Sequence, residues 1–405
     1  MPQYKTALFL TSCYPKWVGE PSGIFLHHLA KALTELGWRV IVLTPNFPGG
    51  RKEEVLEGVL VRRVSYFLPR WQRLCYGSGI LPNLRKAPWI WLQVPFYVLS
   101  MLVASLLLVR RKKIDLIHAH WLLPQGIVTR LLRVFSSVPI VMTLHGGDVF
   151  AFGGRVGRFC KGFALGKTSC CTANSLFTRE AVQRIWPKTK ITVIPMGVDL
   201  DHFRSVALGP CRAAETPIIL FVGRLVQKKG VEFLLRAMPE VLTEFPQARL
   251  VIIGDGSQRG ELEALAEGLG LGSVSFLGMI PHDKLPEHYS KATIFVGPSV
   301  VDDHGDTEGL GVVFLEAAAS ALPIIATGVG GISDIVIDDV TGIRVEPKNV
   351  RDLAEAIRRL LRDPDLCRRL GDAARVHAAE RFSWTYTARH FSDLFDEVLQ
   401  ETEMK

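Results

Sequence analysis

Residues Pro298 to Glu316 read PSVVDDHGDTEGLGVVFLE, and they set Glu308 and Glu316 eight positions apart with Gly309 and Gly311 between them. The apolar run before them, Ala292 to Val296, predicts a buried strand of a parallel sheet. The run after them, Val312 to Leu322, predicts a helix, because good helix formers place apolar residues at helical spacing. Glu308 is therefore expected in a loop at a strand's C-terminal end, and Glu316 about one turn into the next helix. Open α/β sheets bind ligands at that edge. A helix start offers free backbone N–H groups, and glycines allow close approach, which suits a phosphate. Two carboxylates flanking such a site can hold polyol hydroxyls, one set from a sugar and one from a ribose.

Working outward, strand and helix patterns alternate along all 405 residues, which predicts parallel sheets and two α/β domains rather than one. TALFLTS, WRVIVLTP, IDLIHAHW, VPIVMTLHG, KTSCCTANS and ITVIPMGV read as strands of the first half, with Ser22-Gly23 opening the helix IFLHHLAKALTELG. PIILFVGR restarts the pattern, followed by VEFLLRAMPEVLTEF as helix, ARLVIIGDG as strand and GELEALAEGLG as helix. Ser205 to Thr216 lacks periodicity and is the expected boundary. FSWTYTARHFSDLFDEVLQ reads as a terminal helix.

Charge divides unevenly. Residues 1–205 carry 27 Lys/Arg against 10 Asp/Glu, and the remaining residues carry 21 against 30. A basic first half implies an anionic partner there, such as a membrane surface or a phosphorylated acceptor. With no helix-turn-helix pattern and no basic motif interleaved with aromatics, nucleic acid ranks last. The seven cysteines (Cys13, Cys75, Cys160, Cys170, Cys171, Cys211 and Cys367) form no C-x-x-C pair, which points to free thiols in a reducing, cytoplasmic compartment. No secretory signal is read at the start, where Met1 to Lys5 leads into a strand.

Trp89 to Val109 (WIWLQVPFYVLSMLVASLLLV) is long enough to span a bilayer and is followed by Arg110-Arg111-Lys112-Lys113. A span would separate IDLIHAHW from strands of its own sheet. A helix packed on the sheet, with or without a membrane-facing side, is therefore favoured. The cluster of Arg62, Arg63, Arg70, Arg73, Arg85 and Lys86 suits anionic headgroups.

Three other motifs carry weight. Arg224 and Lys229 in VGRLVQKKG follow a predicted strand and can converge on one anion, with Lys228 as an alternative to Lys229. His145 and Asp148 lie in HGGD after VPIVMTL, and Gly330-Gly331 follows PIIATG as a phosphate-lining turn or a simple tight turn. His118 and His120 share one strand face, and Asp302, Asp303, His304 and Asp306 form an acidic cluster; neither has a full metal-ligand set, so no metal site is assigned. Gly254-Asp255-Gly256 departs from a dinucleotide fingerprint in its spacing to Gly260, which argues against hydride transfer.

The paired glutamates, seven residues between them, with GLGVVFLEAAASALPIIATGVGGISDIV around them, resemble the family-four (group 1) retaining glycosyltransferases. The resemblance runs through nearly the whole chain. It implies the GT-B fold, two Rossmann-like doubly wound parallel-sheet domains facing across a cleft. Residues 1–205 would bind the acceptor and 206–382 the nucleotide-sugar, with the 383–405 helix packed back on the first domain. The resemblance assigns Glu308 to the donor sugar's hydroxyls, Glu316 to the ribose, and Arg224 and Lys229 to the leaving diphosphate in place of a metal. It places His145 beside the donor sugar, the backbone of Leu310, Gly311 and Val312 on phosphate, and Met279-Ile280 beside the base. Gly23 would approach the donor phosphates, although relatives usually carry two glycines where this chain has Ser22-Gly23. The implied donor is a nucleotide diphosphate-sugar, UDP being the commonest, with no separate cofactor. The implied acceptor is a glycan or a lipid-linked saccharide on the inner face of the cell membrane. A GT-B phosphorylase, an epimerase and a non-catalytic sugar-binding or membrane-scaffold protein remain as other readings.

Overall fold

The computed structural model describes residues 4–17, 20, 22–75, 77, 79–150, 152–166, 168–204 and 216–404. Cys211 and the aperiodic Ser205 to Glu215 stretch lie outside them. The chain divides into two compact units, Met1–Pro195 with Trp384–Lys405, and Met196–Ser383. The first crossing thus falls about ten residues before the expected boundary at 205/206. The reason is the short helix Leu200–Arg204, which packs on the helices Leu285–Lys291 and Val312–Ala319 of the second unit and buries Phe203.

The first unit is built on eight strands: β1 (Thr6–Leu10), β2 (Arg39–Pro45), β3 (Glu53–Leu56), β4 (Val59–Val64), β5 (Leu116–His120), β6 (Ile140–Leu144), β7 (Cys170–Ala173) and β8 (Ile191–Val193). Their order is β3-β4-β2-β1-β5-β6-β7-β8, parallel except for β3, an antiparallel edge strand. β1, β5 and β6 are buried along their whole length, as their unbroken apolar runs require. One sheet face takes the helix Ile24–Glu35 and the terminal helix Trp384–Glu403, which pack on each other. Trp38 and Phe395 meet there at 5.2 Å.

The long apolar segment forms the helix Gln93–Arg111, preceded by a 3-10 turn from Pro88 to Leu92. Gln93, Tyr97, Met101, Ser105 and Leu108 are buried on one side of it. By length and composition Pro88–Arg111 could cross a membrane. However, β5 begins five residues after the helix ends and pairs in parallel with β1, so this fold holds the segment against the sheet rather than through a bilayer.

The second unit has six parallel strands: β9 (Ile218–Val222), β10 (Arg249–Ile253), β11 (Val274–Gly278), β12 (Ile294–Gly297), β13 (Ile324–Thr327) and β14 (Ile343–Val345). Their order, β11-β10-β9-β12-β13-β14, reverses direction at β9, which pairs with both β10 and β12. Its core joins these strands to the helices Val231–Glu244, Val350–Arg362 and Pro364–Arg381. The reversal opens a crevice outside the C-terminal ends of β9 and β12, the place where doubly wound sheets bind ligands.

Candidate active site

Two loops meet at that crevice. Gly223 to Gly230 follows β9, and Pro298 to Gly311 follows β12. They are stitched together by Val300 N–H donating to Lys228 O at 2.8 Å. Glycines make the approach possible. A Cβ on Gly230, which has φ +63°, would lie 2.0 Å from Pro298 O. Gly330 and Gly331, opening a 3-10 turn after β13, press on the same loop from its other side. A Cβ on either would lie about 2 Å from the carbonyl oxygens of Glu308 or Gly309, and Gly331 N–H donates to Glu308 O at 3.0 Å. The glycine pair is therefore explained as the backing of the glutamate loop.

Glu308 sits in this loop with only 8% of its surface exposed. Lys229 Nζ lies 3.1 Å from its Oε1. This charge-assisted contact engages the buried oxygen and leaves the carboxylate further lone pairs. Burial pushes the carboxyl up, but Lys229, Lys228 and Arg224 outweigh it and hold Glu308 below the ordinary carboxylate range. The site thus contains an ionised carboxylate with accepting capacity to spare, beside three cations. The choice between the two lysines is resolved for this contact. Lys228 turns to Asp306 Oδ2 at 3.0 Å and Thr307 O at 3.1 Å, while Lys229 meets Glu308. The acidic cluster folds its own loop. Asp302 Oδ1 accepts from His304 N–H and Asp306 N–H, both at 2.9 Å, and Asp303 accepts from Gln227 Nε2 at 2.7 Å. Arg224 is exposed at the end of β9.

Gly311, at φ +88°, caps the helix Val312–Ala319, so Leu310, Gly311 and Val312 lie at its N-terminus as the spacing predicts. Glu316 is buried one turn in. Its Oε2 accepts from Tyr289 OH at 2.8 Å, and its Oε1 lies 3.4 Å from His282 Nε2. The hydrogen bond that His282 donates to Glu316 leads the influences that raise the His282 pKa, against its burial. His282 in turn stacks on His202, with centroids 5.3 Å apart. Tyr289, His282 and His202 were not singled out from sequence. Met279 and Ile280 leave β11, the edge strand two removed from β9, and Met279 is largely exposed.

In the first unit, Gly23 has φ +76° and caps Ile24–Glu35; a Cβ there would lie 2.9 Å from Cys13 O. Phe25, two residues on, meets the His145 ring at 5.2 Å. Trp121 packs on the same ring at 5.1 Å, and His120 Nδ1 lies 3.2 Å from His145 Nε2. Burial pushes His145 down to about 3 and leaves it neutral. His118 and His120 are driven down by the same cause. Asp148 is a turn-maker: it accepts from Leu122 N–H at 2.6 Å and His145 N–H at 3.0 Å. Among the described residues no group of three His, Cys, Asp or Glu side chains is arranged to hold a metal.

Two family models divide the chain between them: Glycosyltransferase Family 4 over residues 22–202 and Glycosyl transferases group 1 over 212–377. A GDP-mannose-dependent α-(1-6)-phosphatidylinositol monomannoside mannosyltransferase of Mycolicibacterium smegmatis is 30% identical over 67% of this chain and 73% of its own length. The chain belongs to the family-four, group 1 glycosyltransferases. Its fold is GT-B, as in sucrose-phosphate synthase from Thermosynechococcus elongatus, which superposes with a TM-score of 0.76 at 25% identity over 98% of this chain and all of that one. Anabaena HepE, solved in complex with UDP and glucose, superposes with a TM-score of 0.73 over 97% of this chain and all of that one; at 19% identity it speaks to fold alone. As a group 1 glycosyltransferase, the protein is an enzyme that uses nucleotide sugars.

Proposed function

We propose that this glycosyltransferase moves a sugar, with retention, from a nucleotide diphosphate-sugar to a hydroxyl of a lipid-linked saccharide or glycolipid, working peripherally on the cytoplasmic face of a membrane. One observation carries the donor reading. Glu308 is buried and ionised at the sheet's switch point, paired with Lys229 and just ahead of the Val312–Ala319 helix. A sugar hydroxyl would donate to the carboxylate's remaining lone pairs. Lys229 and Arg224 would then balance charge growing on the departing diphosphate, in place of a metal. Backbone N–H groups at Leu310 to Val312 would take the phosphates. Glu316 would hold the ribose, and Met279-Ile280 would flank the base. Gly23 and His145 are assigned to the donor phosphates and the donor sugar.

In a front-face transfer the bond from the anomeric carbon to the phosphate oxygen breaks. The acceptor oxygen bonds that carbon on the same face, and the acceptor's proton passes to the departing phosphate oxygen. No carboxylate is needed as nucleophile, and Glu308 only orients the sugar. The mycobacterial relative is named for GDP-mannose and a phosphatidylinositol acceptor, and UDP is the donor the resemblance implies, so UDP and GDP are the donor bases to compare first. The membrane reading is supported by the exposed side of the Gln93–Arg111 helix, where Leu99 is 58% exposed and Arg110 and Arg111 close the last turn. The test is to incubate the protein with UDP- and GDP-sugars and a membrane lipid extract, then determine the product's anomeric configuration by NMR. A lipid-borne product with the donor's configuration is expected. An inverted product, or transfer only to soluble glycans, would overturn the proposal.

A further inference from the structure

The helical layer on one face of the first unit's sheet has two apolar ridges. The Gln93–Arg111 helix packs on Gln125–Leu132, which packs on Gly154–Leu165. The middle helix has no exposed residue. Both flanking helices do. Phe96, Leu99, Val103 and Leu107 are exposed on the first, three or four positions apart. On the second, Val156 and Phe159 are 72% and 74% exposed, with Phe163 beside them. A helix packed on one side normally turns polar residues outward. Trp91 and Phe152 meet at 5.3 Å just ahead of the two helices, so aromatic surface runs from one ridge to the other.

The second ridge is also cationic. Arg155 and Arg158 line an open groove of about 470 Å³ with Phe159, Gly162, Phe163 and Trp186. Arg130 lies over the Phe163 ring at 5.1 Å. Both ridges come from stretches with no carboxylate. Gly58 to Ile114 and Val149 to Arg179 contain no Asp or Glu, although Lys and Arg recur in both. A protein partner would be met by mixed charge; a surface that is apolar at its crest, arginine-flanked and drawn from acid-free stretches complements an anionic bilayer.

We propose that the Gly154–Leu165 helix is a second membrane-binding element, with Val156, Phe159 and Phe163 entering the acyl boundary of an anionic bilayer and Arg155 and Arg158 on lipid phosphates. This rests on the reading that the protein works at a membrane, and adds a contact face that the apolar helix alone does not supply. The experiment is flotation of the full chain with vesicles of phosphatidylglycerol in phosphatidylcholine, and with phosphatidylcholine alone. Three variant pairs are compared: Arg155→Gln with Arg158→Gln, Val156→Ser with Phe159→Ser, and Leu99→Ser with Val103→Ser. The wild type should bind the anionic vesicles preferentially. The arginine pair should weaken that binding by roughly 25-fold, about fivefold for each charge. The Val156/Phe159 pair should weaken it by at least about tenfold. All these side chains are exposed, so thermal unfolding should be unchanged. If both pairs on this helix bind like wild type while Leu99→Ser with Val103→Ser loses binding, the second element is refuted and the membrane reading stands. If wild type binds no vesicle, both fail. A dimer in solution that Phe159→Ser dissociates, with vesicle binding unchanged, would assign the face to a second copy and overturn the proposal.

Discussion

The sheets of the two units are wound alike, yet the groups beyond their strand ends are electrostatic opposites. In each, the order runs outward from the unit's first strand, β1 or β9, and the following loops gather at the same edge. Beyond β9 and β12 the groups are charged: Lys229, Lys228 and Arg224 hold buried Glu308 ionised. Beyond β5 and β6 the imidazoles are neutral: burial holds His120 and His145 uncharged, aromatic rings pack on His145, and the Asp148 carboxyl is taken up by backbone N–H groups. The topology supplies a place, and the loop residues decide its charge. Both desolvated sites carry a cost, but only the charged one needs an ion pair to offset it.

The largest expected effect breaks the charged side. Glu308→Gln keeps the shape and removes the charge. The transfer rate should fall roughly 100- to 1000-fold, the scale of losing one group that acts on the reacting sugar. Nucleotide affinity should stay within about threefold, because the cations remain. Equal loss of rate and nucleotide affinity would mean Glu308 merely holds the loop together.

A middle effect sharpens the contrast through pH. His145 is held at about 3, so its neutral form stabilises the fold above its unfolded value, about 6.5, and that stability is lost as pH falls toward 3. Going from pH 7 to pH 5 should cost the first unit ~2 kcal/mol from this group alone. His282 has the opposite sign. Its raised value gives stability that is fully present below about 6.5 and lost as pH rises through the folded value. Peptide-resolved hydrogen exchange at pH 7 and 5, corrected for intrinsic rates, should show protection falling around His145 and holding around His282. Parallel changes in both regions would sink the comparison.

The smallest effect is local. Tyr289→Phe removes the 2.8 Å hydrogen bond to Glu316 and should cost about 1 to 2 kcal/mol, read as a drop of a few degrees in Tm. An unchanged Tm would show that Glu316 finds another donor.

How much of this was legible in the sequence follows from the range of the interactions. β9, β12 and the Val312–Ala319 helix were readable because each announces itself within about ten residues. Glu308, Arg224 and Lys229 followed because a motif fixes each to a strand end. Tyr289, His282 and His202 were not readable. Tyr289 and His282 reach Glu316 because the Leu285–Lys291 helix and the 3-10 turn before it fold beside the Val312–Ala319 helix, and His202 joins from the Leu200–Arg204 helix by stacking on His282; no local pattern records either. The Glu53–Val64 hairpin was missed because half its residues are charged or exposed, as an edge allows. The early boundary was hidden because Leu200–Arg204 is one turn long, too short for a periodic pattern to mark, although Phe203 and His202 tie it to the second unit. The ridge at Phe159 needed the layer around it to show which side of its helix stays bare.

The central claim is that the loops after β9 and β12 form the donor's diphosphate site. Calorimetric titration of the folded protein with UDP, GDP and ADP, with and without chelator, tests it most directly. One nucleotide should bind equally well in chelator, and Arg224→Ala and Lys229→Ala should each weaken it by at least about tenfold, the scale of a lost charge-assisted contact. Failure of all three nucleotides to bind folded protein, or binding indifferent to both substitutions, would contradict the account.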